Sequence, residues 1–338
     1  MDVFMVYIIG IALSFMIAWS IGANDAANPT ECAVGAGVIS IRKAVYLFAA
    51  FTALGALLQG YMVMKTLDRG IVPYIPVSGA FIITLSAVIW IGLCSWIGMP
   101  ISTTHSLVGA IIGYGIVAYG VEKIKWAVLE KVFIAMIASP ILSLIVAIIL
   151  YYISISIFTR LSWSMQTIDR VIKWLLIGAL CFSAYSFGAN DVANATGVFV
   201  TVTKEIGRIP DSTAMFFMAL LGSIGILIGG LSLGPRVIRV AGMRTTRLVP
   251  ITGFAAELSN ATVIYLFTTL PYLIFGYGMP ISTTQSSIGS IIGVGLVGGG
   301  GVDKMIVMKI VLAWALTLPT TIILSITLYI TMIPFLSA

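Results

Sequence analysis

The segment Gly22-Ala-Asn-Asp-Ala-Ala-Asn28 returns almost unchanged as Gly188-Ala-Asn-Asp-Val-Ala-Asn194. A second segment, Gly98-Met-Pro-Ile-Ser-Thr-Thr104, returns as Gly278-Met-Pro-Ile-Ser-Thr-Thr284, in the same order along the chain. We call these the GAND segments and the Ser/Thr segments. Two segments that recur in register indicate two related halves. We expect residues 1–158 and 174–338 to form these halves, with 159–173 as a connecting loop.

Composition places both halves in a membrane. The chain has 338 residues, of which 60% are hydrophobic and 9% charged, and its mean hydropathy is +1.12. A soluble protein carries about 25% charged residues. Apolar segments separated by short polar breaks predict an all-α polytopic membrane protein with roughly 8–12 membrane segments. The first apolar run, residues 3–21, lacks a basic start and is too long for a signal core, so we expect it to be a retained span.

The distribution of charge predicts orientation. Residues 234–247 hold four arginines and no acidic residue, which predicts a cytoplasmic loop in a multi-pass plasma-membrane protein. The matching loop of the first half holds Lys65, Asp68 and Arg69, a smaller excess, as oppositely oriented halves would show. Inverted-topology repeats with broken or re-entrant helices are the plan of many secondary transporters. The net charge of +6 is spread over loops, which does not suggest nucleic-acid binding.

Each GAND segment places polar groups at the end of an apolar run. Glycine and asparagine tolerate non-helical backbone, and a carboxylate in lipid costs ~3 kcal/mol or more. A helix broken at these segments would offer oxygen ligands suited to Na⁺, or a carboxylate that carries a proton. An ordinary interfacial turn is the alternative. The candidate cation-binding residues are Asn24, Asp25, Asn28, Asn190, Asp191 and Asn194, with sodium expected at the Asp25 and Asp191 segments.

Each Ser/Thr segment has the pattern of a helix start. Pro100 and Pro280 suit a first helical turn, where the missing N–H costs little. A helix N-terminus offers N–H groups and partial positive charge to an anion, and hydroxyls add donors without adding net charge. Plain helix capping is the alternative. The candidate anion-binding residues are Ser102, Thr103, Thr104, Ser282, Thr283 and Thr284.

Four acidic residues lie inside apolar stretches that contain no lysine or arginine: Asp25, Glu31, Asp191 and Glu257. Carboxylates beside an anion site make sense if cations bind as well, which is the physical argument for cation–anion symport. Glu257 is a further cation ligand or proton carrier, unless it is a neutral core carboxyl. The single histidine, His105, matches Gln285 in the second half and is either a ligand or a core residue. Candidate coupling residues are therefore Glu31, Glu257 and His105. No cofactor is expected.

These segments resemble the inorganic phosphate transporter family, which includes sodium- and proton-coupled phosphate symporters. The family signature GANDVANA is present at residues 188–195, and residues 34–40 and 253–258 are similar as well. The resemblance covers nearly the whole chain. It implies inverted repeats, inorganic phosphate held by the Ser/Thr helix ends, and Na⁺ or H⁺ held by the Asn-Asp segments. Members of the family often form homodimers.

The chain departs from the family pattern at two places. Pro29-Thr-Glu-Cys-Ala33 follows the first GAND segment, where the family usually has small residues and no acid. In the next span, relatives often carry a glutamate after a phenylalanine, whereas Thr52 follows Phe51 here. Glu31 is a candidate for that missing carboxylate, and the coupling ion stays open.

The sequence predicts a cation-coupled phosphate symporter, and three alternatives stand beside that prediction. A sulfate permease of the same family would also bind a tetrahedral anion, but sulfate has no proton to donate at neutral pH. A channel would be expected to use symmetric rings and a continuous pore. An enzyme is not expected, because the chain has one histidine, no HExxH motif and no nucleophile elbow.

Overall fold

The computed structural model describes residues 3–64, 71–204, 212–276, 278–279 and 281–336, and every regular element among them is helical. One short 3-10 turn covers Val121–Lys123. The α-helices in chain order are α1 (Val3–Asp25), α2 (Glu31–Gly35), α3 (Ile41–Gln59), α4 (Tyr61–Met64), α5 (Val77–Ile97), α6 (Thr103–Tyr119), α7 (Trp126–Arg160), α8 (Met165–Lys204), α9 (Ser212–Ser232), α10 (Gly234–Arg244), α11 (Pro250–Phe275), α12 (Thr283–Val297) and α13 (Lys304–Leu336).

The helices confirm an all-α, multi-pass membrane fold. Among the described residues, α1, α3, α5, α7, α8, α11 and α13 are each long and apolar enough to cross a bilayer. The pair α9 and α10 passes the same test together but is bent by 66°. The number of spans therefore falls at the lower end of the predicted range. Helices α6 and α12 have 17 and 15 residues, short of the ~20 that a bilayer requires, and their first turns are buried.

The two sequence halves interleave. Helix α1 packs on α9, and the matching helix of the second half, α8, packs on α3. A Cβ built on Gly22 would lie 2.0 Å from the carbonyl oxygen of Ile226, and one built on Gly188 would lie 2.0 Å from that of Thr52. The first glycine of each GAND segment therefore lets two helix backbones meet, as small residues do between membrane helices.

Helices α6 and α12 repeat this packing. A Cβ on Gly113 of α6 would lie 2.4 Å from the carbonyl oxygen of Ile322 in α13. A Cβ on Gly293, its counterpart in α12, would lie 2.5 Å from that of Leu144 in α7. Each Ser/Thr segment thus begins a helix that is fixed against one long outer helix.

The two GAND segments differ in backbone. Helix α1 ends at Asp25, residues 26–30 form turns, and α2 follows, whereas α8 runs without interruption through residues 188–194. The break expected at the second copy is therefore wrong. Pro29 supplies a reason for the difference, because a proline has no N–H and its ring clashes with the carbonyl four residues earlier, here that of Asp25. Ala195 stands at the matching position and continues the helix.

Two segments expected to be loops, 159–173 and 234–247, are largely helical, and α10 covers Gly234–Arg244 of the second. Helix α7 ends at Arg160 and α8 begins at Met165, so most of the segment 159–173, expected to be a loop, is helical. The first-half loop residues Lys65, Asp68 and Arg69, and also Pro280, lie outside the described residues.

Candidate functional site

Asn24 and Asn190 hold the two Ser/Thr segments in the same way. The Asn24 side chain donates to the Met99 carbonyl at 3.0 Å and accepts from the Ile101 N–H at 2.9 Å. Asn190 makes the equivalent bonds, at 3.2 and 3.4 Å, to the matching main-chain groups of the second half. Each amide therefore fixes the entry to α6 or α12. Sequence analysis foresaw the residues but not this positioning contact.

The Asn24 and Asn190 amides each make one further contact. Asn24 also donates to the hydroxyl of Ser95 at 3.0 Å, and Asn190 to that of Thr268 at 2.8 Å. Sequence analysis missed both partners. Nothing in the pattern marks them, because serine and threonine are common in these spans and the contacts cross between helices.

Asp25 lies where the two Ser/Thr segments converge. Its carboxylate accepts from Thr103 of the first half at 2.7 Å and from Thr284 of the second half at 3.2 Å. Asn28 donates to both Thr283 and Thr284 at 3.1 Å. None of these five side chains is more than 2% exposed. Residues as many as 259 positions apart in the sequence thus form one buried polar centre.

The serines of the Ser/Thr segments cap their helices. The Ser102 hydroxyl accepts from the N–H of His105 at 3.2 Å, and that of Ser282 accepts from the N–H of Gln285 at 3.3 Å. Pro100 was expected in the first turn of α6, but it lies two residues before the N-cap Ser102 and outside the helix. A capping hydroxyl accepts through its oxygen, so its proton can still be donated to an anion. Thr104 is buried in the same first turn.

The second GAND segment presents its polar groups from a continuous helix. Asp191 accepts from the Asn194 amide at 3.1 Å, three residues further along α8. Both side chains are buried. Side chains three residues apart on one helix lie on the same face, which explains this local contact.

A second polar cluster adjoins the first through the main chain of Asn28. Ser287 donates to the Glu31 carboxylate and, at 2.9 Å, to the Asn28 carbonyl. Asn260 approaches that carbonyl with its amide nitrogen at 3.4 Å. The Asn28 side chain contacts the start of α12, while its carbonyl accepts from Ser287, which also donates to Glu31, so Asn28 joins the two clusters.

Glu257 belongs to this second cluster. It is fully buried on α11, three residues before Asn260, whose amide donates to Ser183 at 3.1 Å. Among the described residues one ion pair is present, between Lys173 and Asp169 at 2.6 Å, on the exposed start of α8. Two buried carboxyls without a basic partner are costly in an apolar interior.

Helical spacing offered a signal for two cluster residues that sequence analysis missed. Ser287 follows Thr283 by four residues on α12, and Asn260 follows Glu257 by three on α11. Residues three or four apart share a helix face, so polar residues there could have been added to the candidates.

The described side chains provide hydrogen-bond donors for an oxyanion, but no fixed positive charge. Hydroxyls and the starts of two helices converge on Asp25, and no described lysine or arginine forms an ion pair with it. Oxygen atoms of carboxylates and carbonyls, the ligands that hard cations prefer, lie in the same interior. Together with the interleaved membrane helices, this arrangement is typical of a membrane transporter.

Comparison with known proteins identifies the family. The model of the phosphate transporter family matches residues 21–325, so the chain belongs to that family. It is 30% identical to a protein of Pyrococcus furiosus named as a candidate phosphate permease, with 93% of each chain covered. A similarly named protein of Thermococcus kodakarensis is also 30% identical, over 94% of this chain and 95% of the relative.

A solved structure agrees with the sequence comparison. The chain superposes on the structure of a sodium-dependent phosphate transporter with a TM-score of 0.84 and 29% identity, covering 97% of this chain and 99% of the other. The family expected from the GAND and Ser/Thr segments is confirmed.

Proposed function

We propose that this protein carries inorganic phosphate across the plasma membrane, driven by a cation that moves with it, and that the cation is Na⁺. The solved structure on which the chain superposes is that of a sodium-dependent phosphate transporter, which supports sodium as the first choice. A proton is the other candidate, because the interior carboxyls could carry one.

One observation carries the proposal: Asp25 accepts hydrogen bonds from Thr103 and Thr284, which begin the two candidate anion-binding helices. Each hydroxyl has a single proton. It can be donated to Asp25 or to a phosphate oxygen, but not fully to both. A cation on the carboxylate would satisfy that charge and release the Thr103 proton to the anion. The Thr284 hydroxyl, which also lies 2.9 Å from the Ile101 carbonyl, would lose one of its two competing acceptors. Cation binding would thereby strengthen phosphate binding, which is the thermodynamic content of coupling.

Phosphate suits this centre better than sulfate. At neutral pH phosphate keeps a proton that it can donate, and Asp25 is an acceptor between the two helix starts. The proposed phosphate ligands are the hydroxyls of both Ser/Thr segments together with the N–H groups of the first helical turns. A site without a fixed cation also allows the anion to leave.

The proposed cation ligands are the carboxyl and amide oxygens of both GAND segments. Asp25 and Asp191 are the charged members, while Asn24 and Asn190 position the Ser/Thr segments. Glu31 and Glu257 form a second candidate site, where a bound cation or a proton would offset the negative charge of two buried carboxyls. His105 remains a candidate for proton coupling alone.

Uptake of labelled phosphate into proteoliposomes tests the proposal, with Na⁺ and H⁺ gradients imposed separately. We expect a Na⁺ gradient to drive saturable uptake that sulfate does not inhibit at equal concentration. Sulfate inhibition together with sulfate uptake would identify a sulfate permease. Uptake driven by the H⁺ gradient alone would make the proton the coupling ion.

A matched pair of variants tests the shared hydroxyl. Thr103→Ser keeps the hydroxyl and should keep uptake. Thr103→Val keeps the shape and should lower apparent phosphate affinity by about 10–100-fold, the range for a hydrogen bond to a charged group. Equal affinity in the two variants would contradict the hydroxyl's role.

A further inference from the structure

Helix α10 presents a basic face that takes no part in the transport site described above. Its arginines Arg236, Arg239 and Arg244 are exposed, as is Arg247 just beyond its end. No acidic residue occurs between residues 232 and 256 to neutralise them. The opposite face of the helix is buried and consists of small and aliphatic residues. Such a division is the pattern of a helix that lies in a membrane interface.

The geometry of the preceding helix places α10 at the end of a span. Helix α9 is apolar along its length, and α10 continues from it after a bend of 66°. A helix that leaves a span at this angle runs closer to the membrane plane than to its normal. With α9 taken as a span along the membrane normal, this angle would bring the arginines to the depth of lipid headgroups.

Two contacts connect this helix to the binding centre. The Arg236 guanidinium donates to the carbonyl oxygen of Trp96 at 3.0 Å and lies 4.0 Å from the centre of the Trp96 ring. Trp96 is two residues before Gly98, where the first Ser/Thr segment begins. At the other end of the helix, a Cβ on Gly242 would lie 2.3 Å from the carbonyl oxygen of Glu31. Helix α10 thus touches both the entry to α6 and the start of α2.

We propose that the exposed arginines of α10 bind the headgroups of anionic phospholipids, and that this lipid contact accelerates transport by holding the first Ser/Thr segment and α2 in place. Charge complementarity selects the occupant, because an anionic leaflet attracts clustered arginines at its surface while a neutral lipid does not. Arg236 is committed to Trp96, so Arg239 and Arg244 are the residues left to meet lipid.

Equilibrium binding of short-chain phosphatidylglycerol to the purified full-length protein, in neutral detergent, tests the proposal without relying on transport. Each basic residue at an anionic surface contributes about fivefold to binding, so Arg239→Gln/Arg244→Gln should weaken it by about 25-fold. Lys123→Gln/Lys125→Gln removes the same charge from exposed positions outside α10 and should leave binding unchanged. Equal binding by both double variants would overturn the proposal.

A competition arm distinguishes lipid from free phosphate, which shares the same chemistry. Excess inorganic phosphate should not displace phosphatidylglycerol from the wild-type protein. Complete displacement would identify the face as a collector of substrate and would overturn the proposal. In proteoliposomes, phosphatidylglycerol should raise wild-type uptake severalfold over phosphatidylcholine alone, and the arginine double variant should lose that gain. Equal stimulation of the variant would also contradict the proposal.

Discussion

The two GAND segments share nearly all their residues but differ in backbone and in contacts. The first ends a helix at Asp25, while the second lies inside the 40-residue helix α8. The residue that follows the motif differs: Pro29 in the first half and Ala195 in the second. The comparison teaches that the repeated motif does not by itself dictate a helix break, and that the flanking residue biases the outcome.

The contacts follow from that difference. Asp25, at a helix end, accepts from Thr103 and Thr284 and so joins the two Ser/Thr segments. Asp191, within a continuous helix, accepts from Asn194 one turn away. The copy that ends its helix is the one whose carboxylate joins the two Ser/Thr segments.

Asp25→Asn should cause the largest loss. The amide keeps the size but removes the charge that attracts a cation, so gradient-driven phosphate uptake should fall about 100-fold, the upper range of coupling energies. Uptake in proteoliposomes measures this. Asp169→Asn, a matched change in the exposed pair with Lys173, should have no effect. Retention of driven uptake by Asp25→Asn would remove the first GAND segment from the coupling mechanism.

Gly22→Ala and Gly188→Ala should destabilise the protein to a similar extent, because the two helix crossings are equally close. Each added Cβ would meet a backbone carbonyl at 2.0 Å, and overpacking of this kind typically costs about 1–3 kcal/mol. The melting temperature of the detergent-purified protein measures the effect. Gly178→Ala, where nothing lies within 4 Å of the new Cβ, is the control. A large drop in melting temperature for only one of the two variants would show that the two helix crossings are not equivalent.

Pro29→Ala makes the first half resemble the second. The new N–H can donate to the Asp25 carbonyl, so α1 can extend and shift α2 with Glu31. We expect uptake to fall about tenfold through misplacement of the site, less than for Asp25→Asn. Pro73→Ala, in an exposed loop, should leave uptake unchanged. Unaltered transport by Pro29→Ala would show that the break does not depend on this proline.

His105→Gln should have the smallest effect. It makes the start of α6 match that of α12, where Gln285 stands at the same position and is equally buried. The glutamine amide and a neutral imidazole each provide both a hydrogen-bond donor and an acceptor, so Na⁺-driven uptake should change by no more than about twofold. A strong loss under an imposed H⁺ gradient would instead assign proton coupling to His105.

Much of the fold was readable from the sequence because hydropathy and repetition are local signals. The spans and the family followed from the apolar segments and from the two motifs that each occur twice. Helices α6 and α12 begin within the Ser/Thr segments, at Thr103 and Thr283, because each hydroxyl triplet carries its own cap, although both starts lie later than the prolines suggested. The continuous path of α8 was not foreseen, although Ala195 in place of Pro29 was the available clue.

The sequence indicated which residues form the candidate site, but not which of them contact one another. The convergence of Asp25 with Thr284 joins positions in different halves, and no periodicity along one helix reports such a contact. The same holds for Ser287 beside Glu31. Asn24 and Asn190 were predicted to be cation ligands. Their contacts with the Ser/Thr segments show that they also position the starts of α6 and α12.

Equilibrium phosphate binding with and without Na⁺ tests the central claim most directly, that Asp25 links a cation to the two anion-binding helix starts. Labelled phosphate would be titrated into purified wild-type protein and Asp25→Asn, in NaCl and in choline chloride of equal ionic strength. We predict that Na⁺ raises the phosphate affinity of the wild-type protein about tenfold or more, and that the variant binds phosphate equally in both salts. A Na⁺-dependent gain of the same size in Asp25→Asn would contradict the account.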